Sequence, residues 1–144
     1  MQNFLGDFDC ALDSKGRLMV PAKFRHLVPE AGGGLWVITL GKDKCLNLYP
    51  LSEWDEEVVK KLHSLPPGPE KRKYIRFYSR KSRTINLDKS GRIAIPSNFL
   101  EAIDSPGKVV VVGVLNYIEI WAPEEFEKAS IEGDEAYLEG EFEI

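Results

Sequence analysis

The sequence predicts an α+β fold, a small β-barrel built from two pseudo-two-fold-related ββαββ repeats with peripheral helices. The first observation behind this prediction is a duplicated segment, because residues 13–24 (DSKGRLMVPAKF) recur in register as residues 88–99 (DKSGRIAIPSNF). The second is that each copy is followed by two strand-like apolar runs and then a helix-like run. The third is size, since 144 residues, 43% of them hydrophobic, can bury one core, whereas each half alone is too small to close a barrel.

Each copy of the duplicated segment begins with the signature of a tight hairpin turn. Asp13 and Asp88 suit the first turn position because a carboxylate there can accept backbone N–H groups. Gly16 and Gly91 can adopt a positive φ without steric cost. The apolar residues that follow predict a return strand, and the next proline favours the start of a short helix.

The other strands and helices are predicted in the same order in both halves. Apolar runs indicate strands, prolines favour helix starts, and a Gly-rich stretch at 29–34 indicates a loop. The predicted strands comprise residues 4–12, 35–40, 45–49, 84–87, 109–114 and 117–121. The predicted longer helices begin at Pro50, Pro69 and Pro123.

One of these helices has an apolar stripe. After Pro50, the residues Leu51, Trp54, Val58 and Leu62 recur at spacings of three and four, which places them on one helix face. We interpret the stripe as core packing rather than as a binding groove, because such stripes usually pack against a core.

The chain divides into four segments on this interpretation. Residues 1–63 form the first repeat and residues 84–131 the second. Between them, residues 64–83 contain a Pro-rich turn and a basic helix that connects the repeats. Residues 132–144 form an acidic tail, which we expect to be solvated and without regular structure.

The composition argues against several classes of protein. No apolar run approaches the roughly 18 residues that span a bilayer, and the N-terminus lacks the features of a secretion signal, which favours the cytoplasm. Cys10 and Cys45 suit a reducing compartment, although they leave one disulfide open. His26 and His63 are isolated, so we predict no metal site. Neither a phosphate-cradling loop nor a catalytic set stands out, so we predict no cofactor and no enzyme.

Charge is segregated along the chain. Residues 1–69 carry 8 basic and 9 acidic side chains, residues 70–95 carry 9 and 2, and residues 96–144 carry 2 and 12. The net charge of −4 therefore does not exclude a polyanionic partner, because the local field decides what approaches. Four arginines at spacings of four, four and three are predicted along one face of the basic helix, namely Arg72, Arg76, Arg80 and Arg83.

The duplicated turns also suggest a binding role. Across a short hairpin loop Asp13 can face Arg17, and Asp88 can face Arg92. An exposed ion pair contributes only about 0–1 kcal/mol to stability, but it would hold the guanidinium in one direction. A fixed arginine beside the exposed Lys15 suits contact with a phosphate or a base edge. The alternative is that the motif is turn chemistry alone.

Together these motifs resemble those of a known family. The duplicated Asp-x-x-x-Arg hairpin, residues 46–54 (LNLYPLSEW) and residues 113–121 (GVLNYIEIW) are similar to the bacterial MraZ family, within the AbrB-like swapped-hairpin superfamily. The resemblance extends from Met1 to about Ser130 and implies a double-split barrel. It also implies a cytoplasmic, nucleoid-associated transcriptional regulator of the promoter of the division and cell-wall gene cluster. That regulator would be a ring-shaped homo-oligomer that binds short direct repeats in double-stranded DNA.

The resemblance further implies which residues bind DNA. They lie on the first hairpin and the short helix after it, namely Lys15, Arg17, Lys23 and Arg25. The orienting or structural motif positions are Asp13, Gly16, Asp88, Gly91 and Arg92. In the second copy Ser90 stands in the place of Lys15, and a lysine stands one position earlier at Lys89. We therefore expect the second hairpin to complete the barrel rather than to contact DNA equally.

Two further interpretations concern the alternatives to DNA binding. A ring-forming scaffold or partner-binding protein, with the acidic tail as its interaction arm, is the competing function. The four arginines of the basic helix are more simply explained by solvation, or by pairing with acidic groups after Glu124 on the same or a neighbouring subunit, than by DNA contact.

Overall fold

The fold is known from a computed structural model that describes residues 3–28, 34–104, 107–140 and 142–144, so most of the predicted loop at 29–34 lies outside the described residues. The strands are β1 (Asp7–Ala11), β2 (Arg17–Met19), β3 (Leu35–Leu40), β4 (Cys45–Pro50), β5 (Ser82–Asn86), β6 (Arg92–Ala94), β7 (Lys108–Gly113) and β8 (Ile118–Trp121). The helices are α1 (Ala22–Arg25), α2 (Leu51–Trp54), α3 (Lys60–His63), α4 (Pro69–Arg80), α5 (Ser97–Ala102) and α6 (Pro123–Glu139). The predicted α+β fold of two ββαββ repeats is confirmed.

The two repeats exchange their first strands. Six strands form one antiparallel sheet in the order β1-β7-β8-β4-β3-β5, and β2 pairs with β6 in a second sheet. Thus β1 of the first repeat lies against β7 of the second, and β5 of the second lies against β3 of the first. Neither half has a complete sheet without the other.

A pseudo-two-fold axis relates the halves. In the pairing of β2 with β6, Leu18 lies opposite Ile93, while Arg17 lies opposite Ala94 and Met19 opposite Arg92. Exchanging each residue for its counterpart in the other repeat reproduces the same pairs. The axis therefore passes between the two return strands, with one hairpin turn at either end of their short, three-residue ladder.

The core is built from the apolar positions that the repeats share. Leu18 and Ile93 are almost completely buried, as are the equivalent residues Phe24 and Phe99 of α1 and α5. The ring of Phe4 meets that of Phe24 edge to face, with 5.5 Å between their centroids. Burial of each such side chain stabilises the fold by about 1.5–3 kcal/mol. The turns are therefore next to a well-packed core.

The strand β7 begins one residue earlier than predicted. Lys108 lies opposite Ala11, and the equivalent pair in the other half joins Leu35 to Asn86. The counterpart of Leu35 is therefore Lys108 rather than Val109. The sequence does not show this offset because the run of four valines fits either register.

The helix after Pro50 is continuous but not α-helical throughout. A π-helical segment (Asp55–Val59) joins α2 to α3. The wider π turn brings Val59 rather than Val58 into line with Leu51 and Trp54. Val58 is buried, whereas the rest of the predicted stripe is half-buried and lines a cavity of about 370 Å³ beside α4. The interpretation as core packing holds for Val58 only.

Two further predictions of structure were wrong. Arg83 lies on β5, so it does not continue the arginine row of α4; its Nη1 donates to the Arg80 carbonyl at 3.3 Å and to the Ser82 carbonyl at 3.0 Å. The acidic residues from 132 onward are helical as far as Glu139 because α6 continues to that point, where Gly140 ends it in a left-handed conformation. Alanine, leucine and glutamate are good helix formers, and their propensity outweighs the high charge.

The structure also bears on the cysteine pairing and the membrane-spanning potential of the chain. Cys10 and Cys45 are free thiols, so the disulfide that the sequence left open is absent. None of the helices in the described ranges is long and apolar enough to cross a lipid bilayer.

Candidate nucleic-acid interface

Residues 13–17, here called loop 1, are closed by one carboxylate. Asp13 Oδ1 accepts the backbone N–H groups of Lys15 and Arg17, both at 2.9 Å. Its Oδ2 accepts Nε of Arg17 at 2.6 Å. The Gly16 N–H donates to the Asp13 carbonyl at 3.0 Å. The carboxylate thus closes the turn and fixes the direction of the Arg17 guanidinium at the same time.

Residues 88–92, here called loop 2, repeat this geometry. Asp88 Oδ1 accepts the N–H groups of Ser90 at 2.8 Å and of Arg92 at 2.9 Å, and its Oδ2 accepts Arg92 Nε at 3.0 Å. The Gly91 N–H donates to the Asp88 carbonyl at 3.0 Å. Loop 2 therefore differs from loop 1 in its exposed side chains, not in its backbone.

Both aspartates are held in the ionised form. The pKa of Asp13 falls from 3.8 to about 2, first because the Arg17 backbone N–H donates to it and then because the Arg17 side chain does. The pKa of Asp88 is lowered by the same donors from Arg92 and Ser90. Each carboxylate therefore remains a charged acceptor at neutral pH.

The two loops form one continuous surface, here called the loop pair. The Val20 N–H donates to the Gly91 carbonyl and the Ile95 N–H to the Gly16 carbonyl, each at 3.1 Å. Arg92 Nη1 also lies 3.9 Å from Asp13 Oδ2, so Asp13 faces an arginine from each loop. This cross-loop pair was missed from the sequence, because it depends on which strands lie side by side.

Both turns need glycine. Gly16 has φ +74° and Gly91 has φ +84°, a region that residues with a side chain rarely adopt. A Cβ at Gly91 would also lie 2.6 Å from Nη1 of Arg25, which shows how closely the Arg25 guanidinium covers loop 2.

The predicted contact residues are not in equivalent surroundings. Lys15 is exposed at the tip of loop 1, and Lys23 is exposed on α1. The Arg17 side chain is one-third exposed. Arg25 is half-buried, and its Nε donates to the Val20 carbonyl at 2.9 Å, so this residue also braces the loop pair.

The described part of the chain contains no cluster of three or more side chains suited to holding a metal ion. The geometry instead offers a hydrogen-bonded turn with cationic groups at its tip; the strands on either side of it lie in different sheets and are joined by one bridge, between Leu12 and Leu18. Such a turn suits an anionic or hydrogen-bonding partner.

Residues 3–68 and 80–141 match the family model described as "MraZ protein, putative antitoxin-like". The chain belongs to the MraZ family. Relatives named transcriptional regulator MraZ include that of Desulforamulus reducens, 39% identical over 93% of this chain and 92% of the relative. That of Halothermothrix orenii is 38% identical over 94% and 92%, and that of Lachnoclostridium phytofermentans is 39% identical over 88% and 86%. This is a family of transcriptional regulators, so the prediction that the chain is not an enzyme is confirmed.

Proposed function

We propose that this chain is a sequence-specific DNA-binding transcriptional regulator of the promoter of the bacterial division and cell-wall gene cluster. It acts in the cytoplasm, on the nucleoid, and binds short direct repeats through the first hairpin of each subunit in a ring-shaped oligomer. The observation that carries the proposal is the fixed Arg17 guanidinium beside exposed Lys15 at the tip of loop 1. The names of the relatives support the same role.

In this proposal loop 1 enters the major groove, which is wide enough to admit a two-stranded ribbon and therefore a single tight turn. Arg17 donates to a base edge through its two terminal nitrogens, because its Nε is already held by Asp13. Lys15 and Lys23 contact phosphates, which position the hairpin without specifying sequence. Arg25 uses Nε to brace Val20 and offers its remaining donors to a phosphate.

One hairpin makes few contacts, so a single subunit binds weakly. Several subunits held in a ring bind several repeats at once, and the second binding event then occurs at a high effective concentration. This explains how a small loop can give tight binding to tandem repeats.

The test is a gel shift on DNA upstream of this gene, with random DNA as competitor. Arg17→Ala should weaken specific binding about 5- to 150-fold, since a bidentate arginine–base contact is worth about 1–3 kcal/mol, and should leave assembly size unchanged. Arg92→Ala is the matched control, because it removes the equivalent ion pair from loop 2 and, besides that pair, only the longer 3.9 Å contact with Asp13, and it should have the smaller effect.

The outcome also distinguishes the proposed regulator from the competing function, a scaffold or partner-binding protein. If the wild type shows no preference for its own upstream DNA, the scaffold role is favoured and the regulator proposal fails. If Arg92→Ala and Arg17→Ala weaken binding equally, both loops contact DNA and the assignment to loop 1 alone is wrong.

A further inference from the structure

The second half of α6 is not buried by any of the residues that the structure describes. Every residue from 131 to 140 is exposed, although the helix is continuous to Glu139. Ile131, Tyr137 and Leu138 are 51%, 77% and 81% exposed. A helical stretch this short is marginal in water without packing, so the projecting half, here called the arm, is an element that lacks its packing surface.

The charge of the arm is also locally unfavourable. Residues 131–139 contain four acidic side chains and no basic one. Glu135 and Glu139 lie in the last turns, where the helix dipole favours cations. A basic partner would relieve this repulsion, whereas solvent relieves it only in part.

The arm presents one strip that combines both properties. Ile131, Asp134, Glu135 and Leu138 follow the spacing i, i+3, i+4, i+7 and therefore share one helix face. Two apolar side chains stand at its ends and two carboxylates between them.

A complementary strip occurs on α4. Lys73, Arg76, Phe77 and Arg80 have the same spacing, and all four are exposed. Phe77 is 40% exposed. The α4 strip has three cationic side chains and one apolar side chain near its centre. The strip of the arm has two carboxylates at its centre and one apolar side chain at each end.

The charges of both strips are largely available. Lys73 pairs with Glu70 of its own helix at 3.2 Å. No ion pair joins Arg76, Arg80, Asp134 or Glu135 to another of the described residues. Exposed ion pairs add little to affinity, but complementary charge sets the register and excludes wrong partners. Burial of the apolar side chains supplies the attraction.

We propose that the arm of one copy packs on the α4 strip of the next copy. The two strips are different surfaces, so the contact is head-to-tail, and a head-to-tail contact generates a ring when its rotation closes. The inference rests on the proposed assembly and names the surfaces that form it. In this contact the basic segment of one copy, at residues 70–95, binds the acidic segment of the next copy, at residues 96–144.

The experiment is charge reversal followed by sedimentation velocity of the full chain. Arg76→Glu/Arg80→Glu and Asp134→Lys/Glu135→Lys should each lose assembly, because each sets like charges against each other. The variant with all four changes should regain it. Glu132→Lys/Glu139→Lys is the control, because it makes the same charge change on the arm outside the strip and should remain assembled.

Far-UV circular dichroism and thermal unfolding establish that each variant is folded. If both double variants remain assembled like the wild type, or if the folded fourfold variant does not regain assembly, the α4–arm contact is wrong while the regulator proposal stands. If the wild type is monomeric, both the proposed assembly and this contact are wrong. An arm variant whose monomer binds DNA more tightly shows that the arm covers the loop pair, which also overturns the contact.

Discussion

Asp13 uses both of its carboxylate oxygens within its own turn, one for backbone N–H groups and one for the Arg17 side chain. The exposed ion pair by itself contributes little to stability. Its importance lies in orientation, since a guanidinium held at one end loses less freedom when it binds. Removal of Asp13 is therefore expected to weaken DNA binding through Arg17 even though Asp13 has no donor to offer DNA.

This geometry predicts the titration of Asp13. Its pKa should be about 2 when followed by carboxyl-carbon NMR, and in Arg17→Ala it should rise but stay below 3.8. The rise is incomplete because the first cause is the backbone N–H of residue 17, which alanine keeps. A pKa near 3.8 in the wild type would show that loop 1 is open in solution.

The same shift has a defined effect on stability. The folded pKa is lower than that of the unfolded chain, so ionised Asp13 stabilises the fold above about pH 4. That stabilisation is lost as the pH falls through about 2. At neutral pH it is fully present, and we expect the proposed DNA binding by loop 1 to have no pH dependence from this group.

The secondary-structure elements divide the cationic residues into two groups. Lys15 and Arg17 belong to the hairpin end, and Lys23 and Arg25 to the short helix that follows it. Arg72, Arg76 and Arg80 belong to α4. We expect only the first group to contact DNA.

Salt dependence separates the two groups. On a probe with a single repeat, where assembly plays no part, the loss of each phosphate contact lowers the slope of log affinity against log salt by about 0.9. Lys15→Ala should lower the slope by this amount. Neutralising Arg72, Arg76, Arg80 and Arg83 together should leave it unchanged, and a lower slope in this fourfold variant would place α4 on the DNA.

Sequence patterns predicted which helices and strands form better than they predicted which strands pair with each other. The duplicated Asp and Gly positions identified both turns, because the chemistry of a turn is local. The contact between Arg92 and Asp13 could not be predicted, because it depends on the pairing of β2 with β6. The prediction that Arg83 lies on the basic helix was wrong because it depended on spacing alone. A residue three positions after Arg80 fits the arginine row whether the helix continues or has already ended. The helical arm does not follow from the sequence pattern, because its high charge favours a solvated tail while its alanine, leucine and glutamate residues favour a helix.

The whole molecule is a pseudo-dimer in which one chain supplies both partners. Loop 1 and loop 2 share one backbone geometry, but their side chains have diverged, with Lys15 in one and Ser90 in the other. Duplication therefore keeps the barrel symmetric while the surface that we propose to contact DNA is asymmetric. An asymmetric surface suits direct repeats, which have a direction, better than palindromes.

Avidity is the property expected of the proposed assembly. A folded variant that no longer assembles should bind a single repeat as the wild type does, but lose about 100-fold or more on tandem repeats. Gel shifts on probes with one repeat and with several make the comparison. The control probe offsets one repeat by about half a helical turn, or about 5 base pairs. Equal affinity of monomer and assembly for tandem repeats would exclude the avidity argument.

The exchange of β1 and β5 between the halves has a consequence for synthesis on the ribosome. When the first repeat emerges, its β1 has no β7 to pair with, and β3 has only β4 on one side. The barrel can close only after Trp121 at the end of β8 has left the exit tunnel. We therefore expect hydrogen-exchange protection to appear in both repeats together and late in translation, with unpaired strand edges exposed to chaperones until then.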